Sequence, residues 1–161
     1  INGNAIGMAN YGVALKVGDG VEVNYDASEK YLKMSADRGS SYGQVNLGHS
    51  LLSINPTPER VKQGIKMIKK AMNQAEPDAF YTYGVLLQTG KVIQQDLPLA
   101  MHFFKIAADL DHHDAIKDYA EGNENGEGVP KNLKEALKYY RKIENDPGID
   151  AKIDQLSDLI K

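Results

Sequence analysis

The chain has 161 residues, 42% of them aliphatic, aromatic or sulfur-containing and 25% charged, with a net charge of −3 and no cysteine. Such a length suits one array with a sizeable core, and the ordinary composition excludes disorder. The lack of cysteine excludes a disulfide framework, a thiol nucleophile and Cys-ligated zinc, and the weak acidity excludes the basic footprint of a nucleic-acid binder. No run reaches the ~18–20 apolar residues of a membrane span, so no membrane insertion is expected. The opening Ile1-Asn2-Gly3-Asn4 shows neither an initiator Met nor a signal pattern, so the chain reads as a piece of a longer protein. A cytoplasmic setting is favoured.

In chain order, Gly7, Tyr11 and Leu15 follow the three-and-four spacing of one helix face, and so do Ala27, Tyr31 and Met34. Between them Gly18-Asp19-Gly20-Val21 predicts a turn that needs positive φ. The pattern then returns. Tyr11-Gly12, Leu47-Gly48, Tyr83-Gly84 and Tyr119-Ala120 lie 36 residues apart, each a large apolar residue followed by a small one. The same step links the small residues Ser28, Gly64, Ala100 and Ala136 and the bulky residues Tyr31, Met67, Phe103 and Tyr139. Four repeats follow, at 5–40, 41–76, 77–112 and 113–148. Each holds two helices. The second is predicted to be capped by Asn24, Asp96 or Asn132, with Glu135 completing a capping box. The second repeat departs: it lacks the glycine turn, and Thr57-Pro58-Glu59 starts its second helix about a turn sooner. The small residues predict that the two helices of a pair approach closely at 12 and 28 and at the positions in register with them. After the break at Pro147-Gly148, the stripe Ile149, Ile153, Leu156 and Ile160 predicts a last helix over 149–161 that caps the array.

These motifs resemble the SEL-one-like repeat family, relatives of tetratricopeptide repeats. The resemblance rests on Ala5, Tyr11-Gly12, Gly18, Gly20-Val21, Asn24, Tyr31, Ser35-Ala36 and Gly39 in the first repeat. In the third it rests on Tyr83-Gly84, Gly90, Asp96, Ala100, Phe103-Phe104 and Ala107-Ala108, and in the fourth on Gly126, Gly128-Val129, Asn132, Ala136 and Tyr139-Tyr140. The second repeat is divergent, with Met67 and Met72 where the family has an aromatic residue and Ala. The resemblance implies an all-α, right-handed α-solenoid and a non-catalytic adaptor or scaffold without a cofactor. A secreted bacterial subgroup staples its helix pairs with disulfides. This chain has no Cys, which sets it apart from that subgroup and from the enzymatic activity associated with it. The alternative is a docking or regulatory segment of a larger multidomain enzyme, such as a kinase.

In such solenoids the first helices line the concave surface, and the 36-residue register projects the contact set. It comprises Tyr42, Val45, Asn46 and His49 in the second repeat, Asp78, Tyr81, Val85 and Gln88 in the third, and Asp114, Lys117 and Glu121 in the fourth. Asp114, Asp118 and Glu121 sit at like-charge helical spacing, a local cost that partner recognition would explain. The expected partner is a protein segment, an extended peptide or a helix, with apolar anchors and a basic end, and tyrosine suits such contacts. The alternative for each position is ordinary packing or solvent exposure. Asn10 and Asn46 are expected to bridge adjacent repeats or to hold a peptide backbone. Self-association through the ends of the array is open as well, because residues 1–4 leave the first repeat uncovered.

Other signals are weak. Glu121 to Gly126 imitates the start of a calcium loop but has Asn132 where a bidentate Glu belongs. His112-His113 lacks the spacing of helical zinc ligands and reads as a solvated turn, and no nucleophile-and-base pair marks a hydrolase. Lys62, Lys66, Lys69 and Lys70 read as a solvated basic face.

Overall fold

The computed structural model describes residues 4–160. Among these the regular structure is all helical: α1 (Ala5–Val17), α2 (Tyr25–Asp37), α3 (Ser41–Ser53), α4 (Pro58–Met72), α5 (Pro77–Thr89), α6 (Leu97–Asp109), α7 (His113–Asn125), α8 (Leu133–Tyr140) and α9 (Ile149–Leu159), with a short 3₁₀ turn at Arg141–Ile143. The helices α1, α3, α5, α7 and α9 each begin 36 residues after the one before. Two units are present, one ending at Ala79 and the other starting at Phe80, so the division falls inside α5.

Local chemistry sets the helix ends. The Asn24, Asp96 and Asn132 side chains accept from backbone N–H groups three residues on, at Ala27, Leu99 and Glu135. Each satisfies a donor that the first turn would otherwise leave unpaired. Thr57 does the same for Arg60, with Pro58 in the first turn, and α4 begins three residues before the register position of α2. Asn4, the first described residue, caps α1; the rest of the segment expected to leave the first repeat uncovered lies outside the described residues. Gly18 and Gly126 end α1 and α7 at φ 80° and 79°, in the left-handed region where a Cβ is disfavoured.

In the first unit α1 packs on α2, and α3 on α4. The Ser28 hydroxyl donates to the Gly12 carbonyl over 2.6 Å. A Cβ on Gly48 would come 3.1 Å from the Gly64 carbonyl oxygen, and one on Gly64 would come equally close to that of Gly48. Two backbones therefore touch where the small residues recur, and this contact outweighs the helix propensity lost at a mid-helix glycine, roughly 1 kcal/mol each. Leu32, Ala36, Leu47 and Leu51 form the core beside it.

The second unit is richer in aromatic residues. Phe104, Tyr119, Tyr139 and Tyr140 lie in its core with Ile116, Leu137, Ile149 and Leu156. Tyr83 meets Phe103, and Tyr119 meets Tyr139, edge to face with centroids 5.0 and 4.6 Å apart. Tyr11 and Tyr31, in the same register, do so at 4.8 Å in the first unit. Only the second repeat breaks the series, with Leu47 and Met67 at these positions. The helix α9 starts in register with α7, but carries Leu156 where the earlier first helices have Gly12, Gly48, Gly84 and Ala120. That leucine is buried in the core, so α9 covers its neighbours instead of leaving room for a close second helix.

Candidate functional site

In the first unit the projected surface lies on α3. Tyr42 is half-buried and packs against the core of this unit. Asn46 donates through Nδ2 to the Tyr42 carbonyl at 2.9 Å, a bond within its own helix and not a bridge between repeats. His49 is exposed on α3, yet protein atoms crowd its ring and the Lys16 ammonium lies near, so its pKa falls below the ordinary value; the Asp78 carboxylate works in the opposite direction. Asp78 itself is half-buried in the first turn of α5, where a carboxylate suits the helix dipole. Val45 does not belong to any open surface. It is 2% exposed, because α3 packs on α1 and α2 as well as on α4, and burial removes this apolar side chain from partner contact.

In the second unit Tyr81 of α5 meets Asp118 of α7 and His112, neither of them in the projected set. The Tyr81 hydroxyl donates to Asp118 Oδ2 at 3.2 Å, and the Tyr81 ring stacks on His112 with centroids 4.4 Å apart. Burial, followed by the charge and hydrogen bond of Asp118, pushes the Tyr81 phenol well above its ordinary pKa. Burial also raises Asp118; the Tyr81 bond pulls it back, while the carboxylates of Glu121 and Asp114 raise it further. Val85 packs against the core and Gln88 is half-buried, its carbonyl accepting from Gln95 Nε2. Asp114 and Lys117 stand exposed on α7. Gln88, Asp118 and Glu121 line a cleft of about 130 Å³ together with Asn125, Glu127 and the apolar Leu97, Met101 and Phe104.

His112 and Lys152 are the residues the sequence reading missed. His112 is the N-cap of α7, its Nδ1 accepting from the Ala115 N–H at 3.1 Å, so it is part of a helix terminus and not of a loose turn. The signal was present: Asn4 and Ser40 cap α1 and α3 at the same register. Lys152 of α9 lies 3.0 Å from Glu124 and 3.6 Å from Glu121, and donates to the Tyr140 hydroxyl. Part of the acidic charge expected to wait for a partner is thus countered within the chain. Burial alone would raise Glu124, but the hydrogen bonds from Tyr140 and Lys152 reverse this and hold it below its ordinary value. No spacing links residue 152 to 124, so only packing reveals the pair.

The Sel1 repeat family model matches residues 5–40, 77–112 and 113–143. The chain belongs to the Sel1 repeat family. Its solved neighbours carry the same fold. A protective antigen of uropathogenic Escherichia coli with an SLR fold aligns over 99% of this chain and 35% of its own, at 22% identity and a TM-score of 0.81. A Sel1 repeat protein of Oxalobacter formigenes aligns over 95% of this chain and 63% of its own, at 26% identity and a TM-score of 0.79. The cysteine-rich protein B of Helicobacter pylori aligns over 74% and 86%, at 21% identity and a TM-score of 0.58. The chain thus spans about a third of the antigen and under two thirds of the Oxalobacter protein. No curated protein matches it. The all-α solenoid of two-helix repeats expected from the sequence is the fold of this Sel1 repeat chain. Sel1 repeat proteins generally mediate protein–protein interaction on a scaffold that is generally non-catalytic. No helix among the described residues is long and apolar enough to cross a membrane.

Proposed function

We propose that this Sel1 repeat chain is a non-catalytic interaction module whose first helices receive a peptide or helix of a partner protein, and that its second unit takes the basic end of that segment. The observation that carries the reading is the cleft beside α7. Its apolar residues Leu97, Met101 and Phe104 suit the aliphatic stem of a Lys or Arg, and Asp118 and Glu121 line the same cleft and suit the cation at its end. Tyr81 orients Asp118 by its hydrogen bond, and His112 supports the ring of Tyr81. Asp114, exposed one turn before Asp118 on α7, adds to the negative field. In the first unit Tyr42 and His49 offer area with a polar tip for apolar anchors.

A peptide library displayed on phage and selected against the full chain tests this. Bound sequences are expected to carry Lys or Arg beside apolar residues. That basic preference should vanish in Asp118→Asn/Glu121→Gln at unchanged melting temperature. Selected peptides without basic enrichment would refute the assignment.

A further inference from the structure

The first unit holds a groove of about 490 Å³ between α2 and α4, floored by Leu47, Leu51 and Met67. Its position in the repeat register explains why it is open. Tyr11 with Tyr31, Tyr83 with Phe103, and Tyr119 with Tyr139 each place two rings edge to face at this level of the helix pair. At the corresponding 47 and 67 the second repeat has Leu and Met, which leave room where the other three repeats have aromatic pairs. The family model also leaves the second repeat unmatched.

The rim carries both signs, and two of its three acids, Glu29 and Asp37, are held by cations of their own, while Glu59 keeps its charge. Glu29 is held by Arg60 through two hydrogen bonds of 3.1 and 2.7 Å, Asp37 is paired with Lys33 at 3.4 Å, and Glu59 accepts from Gln63 at 3.0 Å. Lys62 and Lys66, one turn apart on α4 and exposed, lie beyond ion-pairing distance of every described carboxylate. We infer that this groove is a second docking site, which takes an aromatic side chain of a partner segment flanked by carboxylates. The ring replaces the missing aromatic pair on Leu47 and the Met67 thioether, a favourable sulfur–aromatic contact. The carboxylates meet Lys62 and Lys66, on the two turns of α4 that follow Glu59. The inference goes beyond the basic-end reading and uses none of its residues.

The probe is a 12-residue peptide with one central Trp among Asp and Glu, titrated into the full chain with ¹³C-methyl-labelled methionine. The five methionines give a spectrum simple enough to follow Met67 alone. The Met67 methyl is expected to shift saturably, and Lys62→Glu/Lys66→Glu to weaken binding at least fivefold. Leu47→Tyr/Met67→Tyr should abolish binding, read by Trp anisotropy, while holding or raising the melting temperature by restoring the ring pair. If that double variant fails to fold, the charge-reversal variant still decides. An unmoved Met67 methyl, or equal shifts from peptides with Ala for Trp or Lys for the acids, would overturn the inference. So would a concentration-dependent dimer of the chain alone that Leu47→Tyr/Met67→Tyr dissolves, which would give the groove to a second copy. Failure here leaves the selection of basic peptides by Asp118 and Glu121 untouched, so the two readings fall separately.

Discussion

The second and fourth repeats run the same 36-residue frame with different filling. In the fourth, Tyr119 and Tyr139 meet edge to face and Tyr139 is 1% exposed; in the second, Leu47 and Met67 occupy those positions and a groove opens above them. Backbone register and side-chain volume are therefore separable in this protein. Gly48 and Gly64 bring their helices into backbone contact, and the fully buried Ala120 and Ala136 hold the same register positions in the fourth repeat, whatever plugs the space beside them. A repeat can lose its aromatic plug and remain a repeat, and what it loses in packing becomes accessible surface.

The contrast is most sharply tested by removing the plug. Tyr139→Ala is expected to destabilise the chain by about 3–5 kcal/mol, as deletion of a large buried ring does. Met67→Ala should cost only about 1 kcal/mol, since that side chain is half-buried and lines the groove. Urea denaturation of both variants measures the gap, and equal losses would mean that the groove is packed as tightly as the aromatic core.

The shared frame is tested next. A Cβ on Gly84 would lie 2.6 Å from the Phe104 ring, and one on Gly48 would lie 2.6 Å from Ile68. Gly84→Val and Gly48→Val should each cost roughly 2–3 kcal/mol, the range for overpacking a tight contact. Similar losses would support one frame with two fillings. A much smaller loss at 48 would show that the divergent repeat has loosened its helix contact too.

Lys152 distinguishes the fourth repeat in another way, because α9 supplies it to Glu121 and Glu124. Lys152→Met should lower stability by about 1 kcal/mol, a modest figure for a partly exposed pair. In the same variant, affinity for basic peptides should rise as Glu121 is released. Calorimetry on the variant reads both.

The smallest effect concerns His49. Its pKa in the folded chain is below the ordinary value, so the unfolded chain binds more protons as pH falls through the ordinary histidine range. This group's contribution to stability is therefore complete above that range and lost as pH drops through it. The melting temperature of His49→Gln should vary less between pH 7.5 and 5.5 than that of the parent chain, and identical slopes would remove His49 from the account.

Much of the helical architecture was legible because its determinants are local or strictly periodic. Asn24, Thr57, Asp96 and Asn132 cap their helices as their residue types require, and Gly18 and Gly126 adopt the positive φ that the turn demands. The projected surface matches the folded one only in part. Gln88 and Glu121 line the cleft of the second unit and Tyr81 donates to Asp118 there, whereas Val45 is buried. Projection by register treats the first helices as equivalent, but each has its own neighbours, and the same position is closed at 45 and exposed at 117.

The sequence by itself determined the helices, their caps, the period and the close approach of small residues, because each depends on backbone conformation within a few residues or on a repeated step. Only the tertiary structure decided that Lys152 answers Glu124, that His112 supports Tyr81, and that Leu47 and Met67 leave an open groove. Those outcomes depend on distances between side chains far apart in the chain and on volumes that neighbours fill or fail to fill. No local pattern records either.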